Sequence, residues 1–324
     1  MTEPGPVRTY YGRPVLKRPV WKWYVPAYFF TGGVAGGTAL LAAGGRLTGD
    51  DRLARRCLFA SCTAVGVSGA LLVADLGRPR RFLNMLRVAK VTSPMSVGTW
   101  LLSAFGTSVA AAAASELTGL ARGAGRVAEA VAAVLAPLMA TYTAVLVADT
   151  AIPAWHDARH QLPFVFAGGA GASSGALGVL LVPGADAARR LAVGGAAVEL
   201  AAAEILQRRL GDTADAYRRG RARHLKRVAF AATAAGAGLL ATVGRRRRGP
   251  QVAGAVLLMV GAAAERFTVF EAGVESAADP AFTVGPQRRR LEEPGRSGGF
   301  VGWKRGVQLP FSGPERRPIR RCSR

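Results

Sequence analysis

Apolar residues along the chain gather into eight long runs, separated by short polar and basic stretches. A helix that crosses the hydrocarbon core of a bilayer needs roughly 20 mostly apolar residues. The runs at 23–45, 57–74, 91–115, 130–148, 162–182, 191–206, 228–244 and 252–270 approach or reach that length. The pattern predicts an all-α integral membrane protein of about eight transmembrane helices, arranged as two packed four-helix bundles. It divides the chain into a basic N-terminal segment (1–22), a first bundle (23–150), a second bundle (151–275) and a basic polar tail (276–324) outside the bilayer. Glu199 and Glu204 interrupt the sixth run, and Glu265 and Arg266 stand near the end of the eighth. Charge is costly at the centre of a lipid-facing helix, so these carboxylates are expected to face the protein interior or an interface. Glycines crowd the first run at Gly32, Gly33, Gly36 and Gly37, where small residues let membrane helices approach closely.

Composition sharpens this picture. Half of the 324 residues are hydrophobic, and 43 Lys and Arg stand against 20 Asp and Glu, for a net charge of +23. A charge of that size would suit a nucleic-acid partner if it formed one face of a soluble domain. Here it falls in clusters at the ends of apolar runs, at 52–56, 78–81, 218–227 and 245–248, which is the distribution of membrane-flanking charge. Nucleic acid is excluded on that ground, and the lipid bilayer is the expected surroundings. The first 22 residues are polar and the run after them is long, so an uncleaved first span is expected and not a signal peptide.

The three cysteines, Cys57, Cys62 and Cys322, form no CxxC pair, so no iron–sulfur cluster is expected in this chain. The histidines, His156, His160 and His224, all lie between runs. No span offers a histidine to a haem. His156 and His160 are spaced i,i+4 but read as a solvated loop, and no metal site is expected.

Eight spans put both termini on one side. Lys and Arg on that side number 19 before the tail is counted, against 12 in the opposite loops. The positive-inside rule then places the termini in the cytoplasm. The same parity brings polar groups together at the leaflet beside the termini. Tyr28 opens the first span, and Asp75 and Arg78 close the second. Ser93 and Met95 open the third, with Trp100 about two turns deeper. Tyr142 and Asp149 lie two turns apart on one face of the fourth. Glu204, Glu265 and Glu271 fall at the ends of the sixth and eighth. The opposite ends are expected to be almost bare of such groups.

The stretch LLVADLGRPRRFLNML (71–86), followed by VTSPMSVGTWLL (91–102), resembles the NrfD family, the membrane subunits of polysulfide reductase-like and related molybdopterin oxidoreductase complexes. Its motif residues are Asp75, Leu76, Gly77, Arg78 and Pro79, then Ser93, Pro94, Met95, Gly98 and Trp100. WKWYVPAYFFTGGVAGGTAL (21–40), IPAWHDARHQLPFVFAGGAGASSGAL (152–177) and ERFTVFEAGVESAADP (265–280) fit the same family. The resemblance covers roughly residues 18–290.

The resemblance implies a cofactor-free helical subunit that binds menaquinone or another quinone at one membrane face. It also implies an iron–sulfur, ferredoxin-like partner on that face, which relays electrons to or from a molybdopterin catalytic subunit. Its quinone site carries over to Tyr28, Asp75, Arg78 and Tyr142. Some members have a histidine or asparagine near the start of the first span, which this chain lacks. A quinone head group needs hydrogen-bond donors and a proton acceptor; Tyr supplies the first and Asp the second. Asp75, Asp149, Glu199, Glu204 and Glu265 are the candidate proton carriers. Two rival readings share these features: a proton-coupled secondary transporter, with intramembrane carboxylates and Gly-broken helices, and a passive anchor that only recruits a catalytic subunit. No internal repeat between spans one to four and five to eight supports the transporter.

Overall fold

The computed structural model describes residues 15–78 and 80–292. Most of the expected N-terminal segment (1–14), most of the tail (293–324) and the motif residue Pro79 lie outside the described residues. Eight long helices occupy the eight apolar runs: α1 (Tyr24–Thr48), α2 (Asp51–Asp75), α4 (Pro94–Thr118), α5 (Arg122–Ala148), α7 (Leu162–Leu181), α8 (Asp186–Arg209), α9 (Gly220–Ala241) and α10 (Arg248–Ala278). Three shorter helices join them: α3 (Arg80–Met85), α6 (Pro153–His156) and α11 (Ala281–Glu292). Among the described residues there is no strand. The chain divides into one unit, Met1–Gly285, which contains all eight long helices, and a second, Pro286–Arg324.

Local signals set the helix ends. Gly49 closes α1 at φ 76° and Gly119 closes α4 at φ 71°, left-handed positions that favour glycine. The Asp50 carboxylate accepts from the Leu53 backbone N–H at 3.0 Å and caps α2. Proline occupies the first turn of α4 and of α7, where its missing N–H costs no helical bond.

Six of the eight helices are long and apolar enough to cross a membrane; α8 and α9 fall short. The reason is visible in their residues. Helix α8 carries Arg189, Arg190, Glu199, Glu204, Arg208 and Arg209, and α9 opens with Arg221, Arg223, Lys226 and Arg227. Both pack along helices that do qualify, α8 on α7 and α9 on α10. Neighbouring protein supplies part of the surroundings that lipid would otherwise provide.

Helices α1, α2, α4 and α5 close into a ring, each touching the next, and α7, α8, α9 and α10 close into another. The two rings meet along α1 and α7. Lipid tails are as apolar as the side chains, so close van der Waals packing and buried hydrogen bonds hold such helices together. The glycines of α1 make the approach possible. A Cβ on Gly36 would stand 2.6 Å from the Ala136 carbonyl oxygen of α5, and one on Gly37 would collide with Ser174 of α7. The freed space admits cross-links: Ser174 Oγ donates to the Val34 carbonyl at 3.2 Å and Ser61 Oγ to the Ala35 carbonyl at 2.8 Å.

The segment between α5 and α7 is a packed element. Trp155 of α6 is fully buried, and its Nε1–H donates to the Val269 carbonyl at 2.6 Å. Its ring lies where a Cβ on Gly273 would be, which ties the 152–177 stretch to the 265–280 stretch. Tyr217, between α8 and α9, donates to the Ala154 carbonyl at 3.4 Å. Burial holds its phenol protonated, well above the usual range.

Candidate functional site

One end of the first ring is hollow. A cavity of about 280 Å³ lies between the start of α1, the end of α2, α3, the start of α4 and the end of α5. This is the end of the ring at which α1 starts and α2 stops. Tyr28, Asp75 and Tyr142 line it together, as do Leu76, Met95 and Gly98 of the two motif stretches. Apart from Thr99 and Arg81, the rest of its lining is apolar or aromatic, including Phe29, Leu71 and Leu72.

Each polar group is held by a local feature. Asp75 is the last residue of α2, half-buried, with the Lys22 backbone N–H and ammonium beside its carboxylate. Gly77 follows at φ 68° and turns the chain away from the helix axis, which leaves Asp75 at the cavity rim. Tyr28 is 4% exposed and stands one turn into α1. The Tyr142 ring lies against the bare Cα of Gly98, in the space that any side chain there would take. The glycine of the second motif stretch thus seats the tyrosine of α5. Neither phenol oxygen has a hydrogen-bond partner among the described residues. Trp21 lines the mouth and stacks on Trp155 with ring centroids 5.5 Å apart, joining the site to the second ring.

Not every expected site residue is here. Arg78 is exposed and does not line the cavity, whereas Arg81 of α3 does. The left-handed Gly77 directs the chain outward at Arg78, and α3 then turns back. Ser93 and Pro94 start α4 outside the lining, and Trp100 donates from Nε1 to the Val88 carbonyl at 3.4 Å. Asp149 caps the end of α5, is exposed and lies outside the lining of this cavity.

The three glutamates form a separate group. A second cavity, of about 290 Å³, is lined by Glu199 and Glu204 of α8, Lys226 and Thr233 of α9, and Glu265 and Thr268 of α10. Glu199 is 2% exposed, with the Arg266 guanidinium and the Thr233 hydroxyl beside its carboxylate. Arg266 is 1% exposed, donates from Nη2 to the Phe166 carbonyl at 2.8 Å and lies 4.0 Å from the centre of the Phe166 ring. Glu199 Oε1 and Arg266 Nη2 both press on the bare Cα of Gly169. Glu265 is not at the end of its helix. Helix α10 runs on to Ala278, past the point where apolar residues stop dominating, so Glu265 sits near the middle of the span.

The opposite end of the first ring is not bare either. Arg46 of α1 pairs with Asp51 at 3.2 Å, Glu116 at 2.9 Å and Glu129 at 3.3 Å. Glu116 and Glu129 each stand singly beside an Ala-rich run, and only the fold brings them to Arg46.

Residues 14–206, more than half of the chain, match the NrfD polysulphide reductase family. The match spans the whole first ring, with Tyr28, Asp75 and Tyr142, and continues through most of α8. No curated protein sequence matches the chain. An all-helical membrane protein with this family match and with both motif stretches at one cavity belongs to the NrfD family of polysulphide reductase membrane subunits.

Proposed function

We propose that the cavity of the first ring binds the head group of menaquinone or another quinone, and that the chain exchanges electrons between the quinone pool and an iron–sulfur partner of a molybdopterin oxidoreductase. The observation that carries this reading is the meeting of Tyr28, Asp75 and Tyr142 in one apolar-walled cavity at a membrane face. The residues fit the group. Two phenols without partners are free to donate to two carbonyl oxygens, a carboxylate stands ready to take a proton, and Leu71, Leu72 and Met95 offer flat apolar contact to a ring. A bound quinone supplies a two-electron, two-proton couple. Tyr28 and Tyr142 orient the head group, Asp75 passes protons at the rim, and Arg81, in place of Arg78, fixes the charge near the mouth.

Glu199, Glu204 and Glu265 form a proton-holding chamber in the second ring, separate from the quinone site. Neither the passive anchor nor the transporter accounts for a cavity lined by two unpartnered tyrosines. The termini and the segments between α2 and α4, α5 and α7, and α8 and α9 face the cytoplasm on the Lys and Arg balance, and the ferredoxin-like partner docks there against basic surface. Asp75→Asn in the assembled complex tests the reading. It is expected to slow quinone-linked electron transfer by about 100-fold or more while leaving the chain folded. Unchanged turnover would reduce Asp75 to a helix-end residue.

A further inference from the structure

At the end of the first ring away from the quinone cavity lies a polar cavity of about 520 Å³, between the last turn of α1, the first turn of α2, the end of α4 and the start of α5. Its charges are unbalanced. Five arginines line it, Arg46, Arg52, Arg55, Arg122 and Arg126, against three acids, Asp51, Glu116 and Glu129. All three acids are engaged by Arg46, and Glu116 also by Arg55 at 3.8 Å. Arg52, Arg122 and Arg126 form no ion pair among the described residues. Three guanidinium groups without an ion-pair partner thus stand around a floor on which Arg46 and Arg55 already engage all three acids, and five arginines against three acids leave the cavity net positive. The surrounding helix surface is apolar and open to lipid: Leu47 is 89% exposed, Leu117 71%, Leu120 70% and Val127 65%.

We propose that this cavity binds the phosphate of an anionic glycerophospholipid, with Arg52, Arg122 and Arg126 on the headgroup and the leucine rim on the acyl chains. Guanidinium groups match phosphate oxygens in bidentate geometry and bind them more strongly than neutral donors do. The Arg46 and Arg55 ion pairs draw the acids away from the three free arginines. The position at the ends of membrane helices, bordered by lipid-facing leucines, selects a lipid over a soluble anion. Such a lipid would join α2 to α5 across the mouth and hold the ring closed at the end opposite the quinone cavity.

The test uses the full chain in detergent, titrated with phosphatidylglycerol, phosphatidylcholine or inorganic phosphate and read by native mass spectrometry. Phosphatidylglycerol is expected to bind in preference to phosphatidylcholine. Each arginine removed is expected to weaken it about fivefold, so R52Q/R122Q/R126Q weakens it on the order of 100-fold. The control R190Q/R245Q/R246Q removes the same charge on the same side of the membrane, outside the cavity, and is expected to bind normally. Equal loss in both triple variants, or unchanged binding in the cavity variant, overturns the site. Displacement of the lipid by inorganic phosphate at matched concentration overturns the lipid as its occupant. Melting of the unmodified chain gives a readout that needs no variant: phosphatidylglycerol is expected to raise the midpoint more than phosphatidylcholine, and equal shifts contradict the proposal.

Discussion

Gly98→Ala probes the quinone cavity through a single methyl group. The Cβ of an alanine at this position would overlap the hydroxyl and ring carbons of Tyr142. An aromatic ring does not yield like the tip of a flexible side chain, so the whole side chain must turn. Its open direction is the cavity it lines. Overpacking of this kind costs about 1–3 kcal/mol. If the displaced phenol blocks the head group, that cost appears as quinone binding weakened by roughly fivefold to 150-fold. Quenching of tryptophan fluorescence by a soluble quinone analogue measures it, because Trp21 stands at the mouth. On a Tyr142→Ala background the methyl has room, and the two substitutions should be strongly non-additive. Normal binding by Gly98→Ala, or simple additivity of the pair, would refute the reasoning.

Arg266→Met leaves buried Glu199 and half-buried Glu265 without the guanidinium beside them and removes the 2.8 Å bond to the Phe166 carbonyl. It is expected to destabilise the second ring by about 3 kcal/mol or more, read as a lower melting midpoint, and an unchanged midpoint would show that the chamber is hydrated enough to tolerate the loss. A reporter fused to the C-terminus is expected to fluoresce as green fluorescent protein and to be inactive as alkaline phosphatase, and the reverse pattern places the termini outside.

Much of the fold could be read from the chain because one physical demand, an apolar run long enough for a bilayer, leaves its mark locally. All eight runs became helices, and the glycines of α1 became contact points with α5 and α7. The helix ends were less legible. Helix α10 continues through Glu271 and Glu275 to Ala278, because a helix leaving the bilayer need not stop where its apolar residues thin out. That extension moved Glu265 from a membrane face to mid-span and placed it with Glu199 and not with Asp75. Arg81 was obscured by its neighbour Arg78, since the direction taken after Gly77 depends on a left-handed turn followed by a short helix. The Arg46 cluster left no linear signal at all. Arg46 meets Glu116 and Glu129 across 70 and 83 residues of chain, and each looks like an ordinary helix-end charge until α1, α4 and α5 are packed together. The seating of Tyr142 on Gly98 is of the same kind, a contact between two residues that the chain separates and the fold joins.

Photolabelling of the full chain with an azidoquinone, followed by peptide mapping, tests the central assignment most directly. The account predicts label on the cavity of the first ring, in the peptides that carry Tyr28, Asp75, Met95 and Tyr142, and protection of those peptides by excess unmodified quinone. Protectable label confined to the Glu199 and Glu265 chamber, or to lipid-facing helix surfaces, would contradict it.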